Sequence, residues 1–281
     1  MVDAQQVKTL SPMLFGSMYC QESGSRNRPT LLLIHGGGAS HWVWSGVLEH
    51  LAQHFHVLLP DLLEHGRSGG EFSVVNSADL LAQLVATRGV GGRAHLAGLS
   101  VGAEVGLELV ARYPERVSSA VLSGPLIECP AWLEVARNPR YAGLARAVYG
   151  AYLPLRAFPP LTWLHTVLLR IPPRHRAEYF ADVRRETVAG FARMVREYLD
   201  YRAPEGLERS TVPTLLLTGP SELGAVKASV DRLAARLPNA VSATVPALEH
   251  NWLLENPALF ARSIMQWALE GKLESALERR V

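Results

Sequence analysis

Six short runs of strand length recur along the chain: Thr30–Ile34, 57–60, 93–97, Val117–Ser123, Thr214–Thr218 and 240–245. Most are continuously apolar rather than alternating, the pattern of a parallel strand covered on both faces. Between them lie segments whose apolar residues return at helical spacing. Val47, Leu48 and Leu51 mark 44–54, and Leu80, Leu81, Leu84 and Val85 mark 75–88. Val105, Leu109 and Val110 mark Val101–Arg112, and a further helix is expected over 225–236. Asn256-Pro257 opens the last one as cap and first residue, with Phe260, Ile264 and Trp267 as its buried stripe. Residues 13–21 predict one early strand after a polar lead-in, and 272–281 read as a charged, frayed end. Strands alternating with helices predict an α/β protein with a doubly wound, mostly parallel sheet and flanking helices. In such sheets ligands bind at the C-terminal strand ends, where His35, Asp61, Ser100 and Ser123 all fall.

The alternation stops after Gly124 and resumes near Pro213. The intervening stretch carries Trp132, Tyr141, Tyr149, Tyr152, Phe158, Trp163, Tyr179, Phe180, Phe191 and Tyr198, broken by Pro125, Pro130, Pro139, Pro154 and the pairs 159–160 and 172–173. Prolines divide it into short helices. The expected organisation is therefore a core of residues 1–124 and 208–281 with a helical cap inserted at 125–207. The cap's aromatics read mainly as packing. Its arginines at 170, 174, 176, 184, 185, 193 and 196 read as a solvated face rather than an anion site.

With 48% hydrophobic and 19% charged residues in 281, a large core is available and disorder is not expected. A net charge of +2 lacks the basic excess of a nucleic-acid binder. Cys20 and Cys129 make no disulfide framework. No leader is visible in the first residues and no run reaches the ~20 apolar residues of a membrane helix, so a cytoplasmic location without membrane insertion is expected.

The chemistry centres on Gly98-Leu99-Ser100-Val101-Gly102, a G-x-S-x-G between a strand and a helix. Glycine on both sides removes Cβ atoms that would collide in so tight a turn. The hydroxyl then stands at the strand edge, above free N–H groups and the positive end of a helix. Such a serine needs a base, and an imidazole titrating near neutrality suits it; the imidazole needs an acidic acceptor. His250, in the loop after the last strand, is the candidate base. Asp61 reads as a turn former and His35 as a loop-stabilising residue. His50, His54 and His56 have a metal-like spacing but no carboxylate or thiol beside them, and read as a solvated helix end. Gly36-Gly37-Gly38 lacks the spacing of a dinucleotide fingerprint.

Four stretches together resemble the α/β-hydrolase superfamily, in its capped esterase- and lipase-like branch. They are His35-Gly36-Gly37-Gly38; Asp61 to Ser68, similar to a D-x-x-G-x-G-x-S loop; Gly98 to Gly102; and His250 with Glu255, Asn256, Pro257 and Phe260. The resemblance covers 30–124 and 212–270 but not the cap. It implies Ser100 as nucleophile, His250 as general base, and an oxyanion hole from the N–H groups of Val101 and Gly37. The loop after Thr218 usually offers an aspartate; here it holds Glu222, with Glu128 as the rival acid. Glu64 and Glu249 stand where glycines are usual. The implied reaction is hydrolysis of a carboxylic ester of a hydrophobic, small-to-medium molecule, with no metal or organic cofactor. Trp42, Trp132 and Trp252 are candidates for the pocket wall. The same machinery serves C–C bond hydrolases, lactonases, acyltransferases and perhydrolases, and a non-catalytic receptor on this fold is the rival of another class.

Overall fold

The computed structural model describes residues 9–128, 140 and 142–280. The runs that carry the sequence pattern become strands β3 (Thr30–Ile34), β4 (His56–Pro60), β5 (Ala94–Leu99), β6 (Val117–Ser123), β7 (Thr214–Thr218) and β8 (Ala240–Thr244). They run parallel to one another in the order β4-β3-β5-β6-β7-β8. Antiparallel strands finish both edges. The single early strand expected over 13–21 is two, β1 (Thr9–Phe15) and β2 (Met18–Gly24), turning at Gly16 with φ +59°. β2 then pairs with β4.

The uninterrupted apolar runs serve two cores by period-two alternation. Leu32, Ile34, Leu58, Leu96, Leu122 and Leu216 face one side; Leu31, Leu33, Leu59, Leu99, Val121 and Leu217 face the other. Helices α1 (Ser45–Leu51), α2 (Val74–Arg88) and α3 (Val101–Arg112) follow β3, β4 and β5. α2 and α3 cover the first face and α1 the second. The order reverses at β3 and β5: from β3 the chain moves outward to β4, and from β5 it moves the other way. The loops leaving these two strands therefore flank the crevice in which such sheets bind ligands.

Between β6 and β7 the described residues form helices α4 (Ala142–Arg156), α5 (Pro159–Leu168), α6 (Arg176–Arg185) and α7 (Val188–Asp200), with no strand among them. Phe158 precedes the proline pair that opens α5, and Thr187 caps α7 by accepting from Gly190 N–H. After β7 come α8 (Gly224–Arg236), the single turn α9 (Trp252–Glu255) and α10 (Pro257–Met265). Asn256 caps α10 through Leu259 N–H, as its sequence predicts. Trp252 and Phe260 pack with ring centroids 4.2 Å apart in the second core.

The tail is not frayed. Glu278–Arg279 form β9, antiparallel to β8, and Leu277 and Glu274 are buried. Arg280 makes a bidentate pair with Asp231 at 2.8 and 2.9 Å. Charge along 272–281 masked one apolar anchor and a pairing that only the neighbouring strand could reveal. Leu277→Ala is expected to lower stability by about 2–4 kcal/mol in urea unfolding, as for a buried leucine elsewhere in a core. Arg279→Ala, on the exposed edge, should shift it by no more than about 0.5 kcal/mol.

Candidate active site

Ser100 sits between β5 and α3 with φ +54° and ψ −121°, a conformation L-residues rarely adopt. The turn is held by close backbone approach. A Cβ on Gly98 would run into the Gly102 carbonyl, and one on Gly102 into the carbonyl oxygens of Ile34 and His35. The two glycines therefore clear different neighbours: the turn itself, and strand β3. Ser100 N–H donates to the Ser123 carbonyl at 2.8 Å, which ties the elbow to the end of β6.

The glycine loop after β3 lies across this elbow. A Cβ on Gly36 would be 3.4 Å from Ser100 Cβ, and one on Gly37 would be 3.3 Å from Val101 Cγ2 and 2.9 Å from Met194 Sδ of α7. Gly37 and Val101 are thus side by side. The loop is braced by polar groups that are themselves buried. His35 Nδ1–H donates to the Gly36 carbonyl at 2.8 Å, and its Nε2 accepts from Leu62 N–H at 2.9 Å. Burial pushes His35 down to about 3, so the ring is neutral and has both nitrogens occupied. Asp61 accepts from His41 N–H (2.8 Å), His41 Nδ1 (2.7 Å) and Arg67 N–H (2.9 Å). Burial alone would raise its carboxyl; the bonds from His41 outweigh that and hold it below the usual range. Both residues support loops, as their sequence setting suggests.

His250, just before α9, has Nδ1 2.7 Å from Glu222 Oε1 across 28 residues of sequence. Glu222 is nearly buried, whereas His250 is about one-third exposed. The rival acid, Glu128, is paired instead with Arg232 of α8. Ser100, His250 and the glycine loop line one cavity of about 200 Å³. Its remaining wall is mostly apolar, including Val43, Leu99, Ile171, Leu253 and Leu254. With a proton on Nδ1 the imidazole donates to Glu222 and keeps Nε2 basic. An alcohol and a base on one cavity, with an acid orienting the base, can carry out acyl transfer.

The sequence places Ser123 at a strand end without giving it a role and does not single out Gly124, yet the two hold this arrangement together. Besides accepting from Ser100, Ser123 takes the indole N–H of Trp252 on Oγ at 3.0 Å. Gly124, with φ +65°, lies under the His–Glu pair: a Cβ there would be 3.0 Å from His250 Cε1 and 3.1 Å from Glu222 Oε1. Trp252 is therefore no pocket wall. It is buried in the core with its polar atom satisfied, and its neighbours Asn251, Leu253 and Leu254 line the cavity instead. Trp42 does line the cavity, its Nε1 donating to Asp182 at 2.7 Å. Trp132 and Cys129 lie outside the described residues.

Further expectations are corrected by burial. His56 is not at a solvated helix end. It is buried in β4, with Nε2 2.7 Å from Glu22 and Nδ1 3.0 Å from Thr30, while His50 and His54 are exposed. Cys20 is buried, and burial pushes its thiol up to about 12. The two glutamates that replace expected glycines each hold an arginine from the helical segment. Glu64 (φ +60°) accepts from Arg193 at 2.9 Å and from Phe72 N–H. Glu249 accepts from Arg170 at 2.8 Å, and Arg170 also reaches Glu255. Arg170 and Arg193 are thus partnered members of a face that reads as merely solvated.

A family-wide sequence profile described as the alpha/beta hydrolase family matches residues 31–263. A haloalkane dehalogenase of Bradyrhizobium diazoefficiens is 26% identical, the match covering 92% of each chain. A pimeloyl-[acyl-carrier protein] methyl ester esterase of Nitrosomonas europaea is 35% identical over 106 residues, 38% of this chain and 40% of that one. Matches to several curated relatives, the esterase included, span less than half of the relative's length. Among solved structures, an alpha/beta hydrolase enzyme from a Medee basin deep-sea metagenome library superposes with a TM-score of 0.74 at 18% identity, covering 94% of this chain and 99% of that one.

Two outcomes follow from this geometry. Gly124→Ala should cut turnover by about tenfold to a hundredfold by displacing the imidazole, with the folded circular dichroism spectrum retained. Between pH 6.5 and about 3 the unfolded chain binds a proton at His35 that the native ring refuses. Stability therefore falls as pH drops through that window, His65 acting in the same sense. His35→Gln should show a shallower fall, by up to about 1.4 kcal/mol per pH unit, in urea titrations at a series of pH values.

Proposed function

Because the chain belongs to the alpha/beta hydrolase family, we propose that it is a serine hydrolase that cleaves a carboxylic ester, or an ester-like bond, of a small hydrophobic molecule through an acyl-enzyme on Ser100. The observation that carries this reading is a serine at a strained strand–helix turn sharing a cavity with an imidazole whose other side is bonded to a buried carboxylate. Ser100 Oγ attacks the acyl carbon while His250 Nε2 takes its proton. The oxyanion is met by the N–H groups of Val101, at the head of α3, and of Gly37, in the glycine loop that packs against the Val101 side chain. His250 returns the proton to the leaving alcohol, then activates water to release the acid and restore the serine. Glu222 fixes the imidazole tautomer and stabilises its charged form.

Glutamate is one methylene longer than the usual aspartate, yet its carboxylate reaches His250 Nδ1 at 2.7 Å. Gly219 lacks a Cβ where one would press on the Leu248 carbonyl, 2.7 Å away, so the loop after β7 packs closely on the loop that carries His250. An aspartate at the elbow would point to a halide-displacing enzyme like the dehalogenase relative; serine at position 100 points to acyl chemistry. The helical segment over the cavity acts in this reading as a cap, and its apolar lining favours hydrophobic substrates.

A fluorophosphonate should label the wild-type protein stoichiometrically and leave Ser100→Ala unlabelled. A folded protein that never labels would instead be a receptor on the same fold. On p-nitrophenyl esters of rising chain length, Glu222→Gln should lower kcat by ~10²–10⁴ with its melting temperature little changed. Unaltered turnover would assign the acid's role elsewhere.

A further inference from the structure

The cavity wall is mostly apolar, and one of its polar groups is a buried cation. Arg156, the last residue of α4, lines the cavity with Ser100 and His250 while only 8% exposed. Its guanidinium is held on three sides. Nη1 pairs with Glu186, Nη2 donates to Tyr179 Oη at 3.2 Å, and the plane lies over the Phe191 ring, 5.9 Å from its centroid. Tyr179 is fixed in turn by His165 Nδ1 at 3.0 Å. The group is thus positioned by two helices and cannot swing out to water.

Burying a guanidinium costs several kcal/mol, and a well-packed apolar residue would serve stability as well or better. Arginine carries five N–H donors, and the partners just named take only part of them. Nε is buried and has no hydrogen-bond partner among the described residues. Nη2 stands across the cavity's edge from the glycine loop, where a Cβ on Gly38 would be 3.5 Å away. Nη2, with one of its two hydrogens given to Tyr179, therefore borders the space in which a substrate lies next to the elbow.

The charge balance limits what can meet Nη2. Glu186 already neutralises Arg156, and Asp182, on the same helix as Tyr179, adds further negative potential at Glu186. A substrate carboxylate would bring an uncompensated negative charge into a buried cluster. An uncharged oxygen gains a charge-assisted hydrogen bond without that penalty.

We propose that Arg156 is the specificity-determining residue of this cavity: it donates a hydrogen bond to an uncharged oxygen, a ketone, ester or amide carbonyl, that the substrate carries beyond the bond Ser100 attacks. The proposal rests on the serine-hydrolase reading above.

The test compares matched pairs that differ by one oxygen. On the acyl side these are p-nitrophenyl levulinate and p-nitrophenyl valerate, and on the alcohol side oxobutyl acetate and butyl acetate. Wild-type kcat/KM should favour the oxo member of one pair by about tenfold to a hundredfold, mainly through KM, as expected for a hydrogen bond to a charged donor. In Arg156→Met that ratio should fall to near one, whatever happens to the absolute rates. A loss of packing alone would slow both members of a pair together and leave the ratio intact, which overturns the proposal. Ratios near one in both wild-type pairs overturn it without any variant, so the outcome does not depend on Arg156→Met folding. p-Nitrophenyl hydrogen glutarate outrunning the levulinate would make the site an anion site and overturn it too. Fluorophosphonate labelling of the same wild-type sample separates the two levels. Labelling with turnover but no oxo preference removes only the role of Arg156, whereas no labelling and no turnover removes the hydrolase reading and the proposal with it.

Discussion

The end of strand β6 is the point on which the site depends. Two residues there do three things. The Ser123 carbonyl accepts the Ser100 amide, the Ser123 hydroxyl accepts the Trp252 indole, and Gly124 leaves room for the imidazole of His250. Ser100 and His250 are separated by 150 positions, yet both are referred to one rigid strand terminus in the middle of the sheet. Each bond is ordinary, worth on the order of 1 kcal/mol. Their effect is positional, because a side chain fixed from two directions loses the freedom that would otherwise have to be given up during reaction.

Around that point the structure spends its buried polar groups on holding loops still. His35 is bonded at both nitrogens and kept neutral by burial; Asp61 gathers two backbone amides and an imidazole into the turn after β4. Asp182 reaches from the helical segment to Ser40 and Trp42 at 2.8 and 2.7 Å, so the glycine loop is anchored from above as well as from the sheet. Arg156 belongs to the same economy of satisfied groups, apart from Nη2 at the cavity's edge.

How much of this the sequence disclosed follows from how local each signal is. The parallel strands, helices α2 and α3, the Asn256 cap and the serine elbow were legible because their causes lie within a few residues: apolar runs, helical spacing, a glycine on either side. The His250–Glu222 contact was reached through resemblance and the position of a loop, with Glu128 an open rival until coordinates paired it with Arg232. What stayed hidden depends on distant partners. Nothing near Ser123 or Gly124 hints at a tryptophan indole or an imidazole arriving from more than 120 residues away. Trp252 read as a pocket residue because aromatic character does not say which side of a turn a ring takes. Arg156 drew no attention because its burial depends on Glu186, Tyr179 and the fold of four helices. The tail read as frayed because its strand is two residues long and exists only through β8.

The glutamates at 64 and 249 tie the helical segment to the sheet domain at two separate loops, one after β4 and the other carrying His250. Both pairs are partly open to solvent, in the range where mobile ions compete effectively for the same charges. Rising salt therefore weakens these two contacts between the helical segment and the loops, while the buried contacts of Asp182 and Arg156 are largely spared.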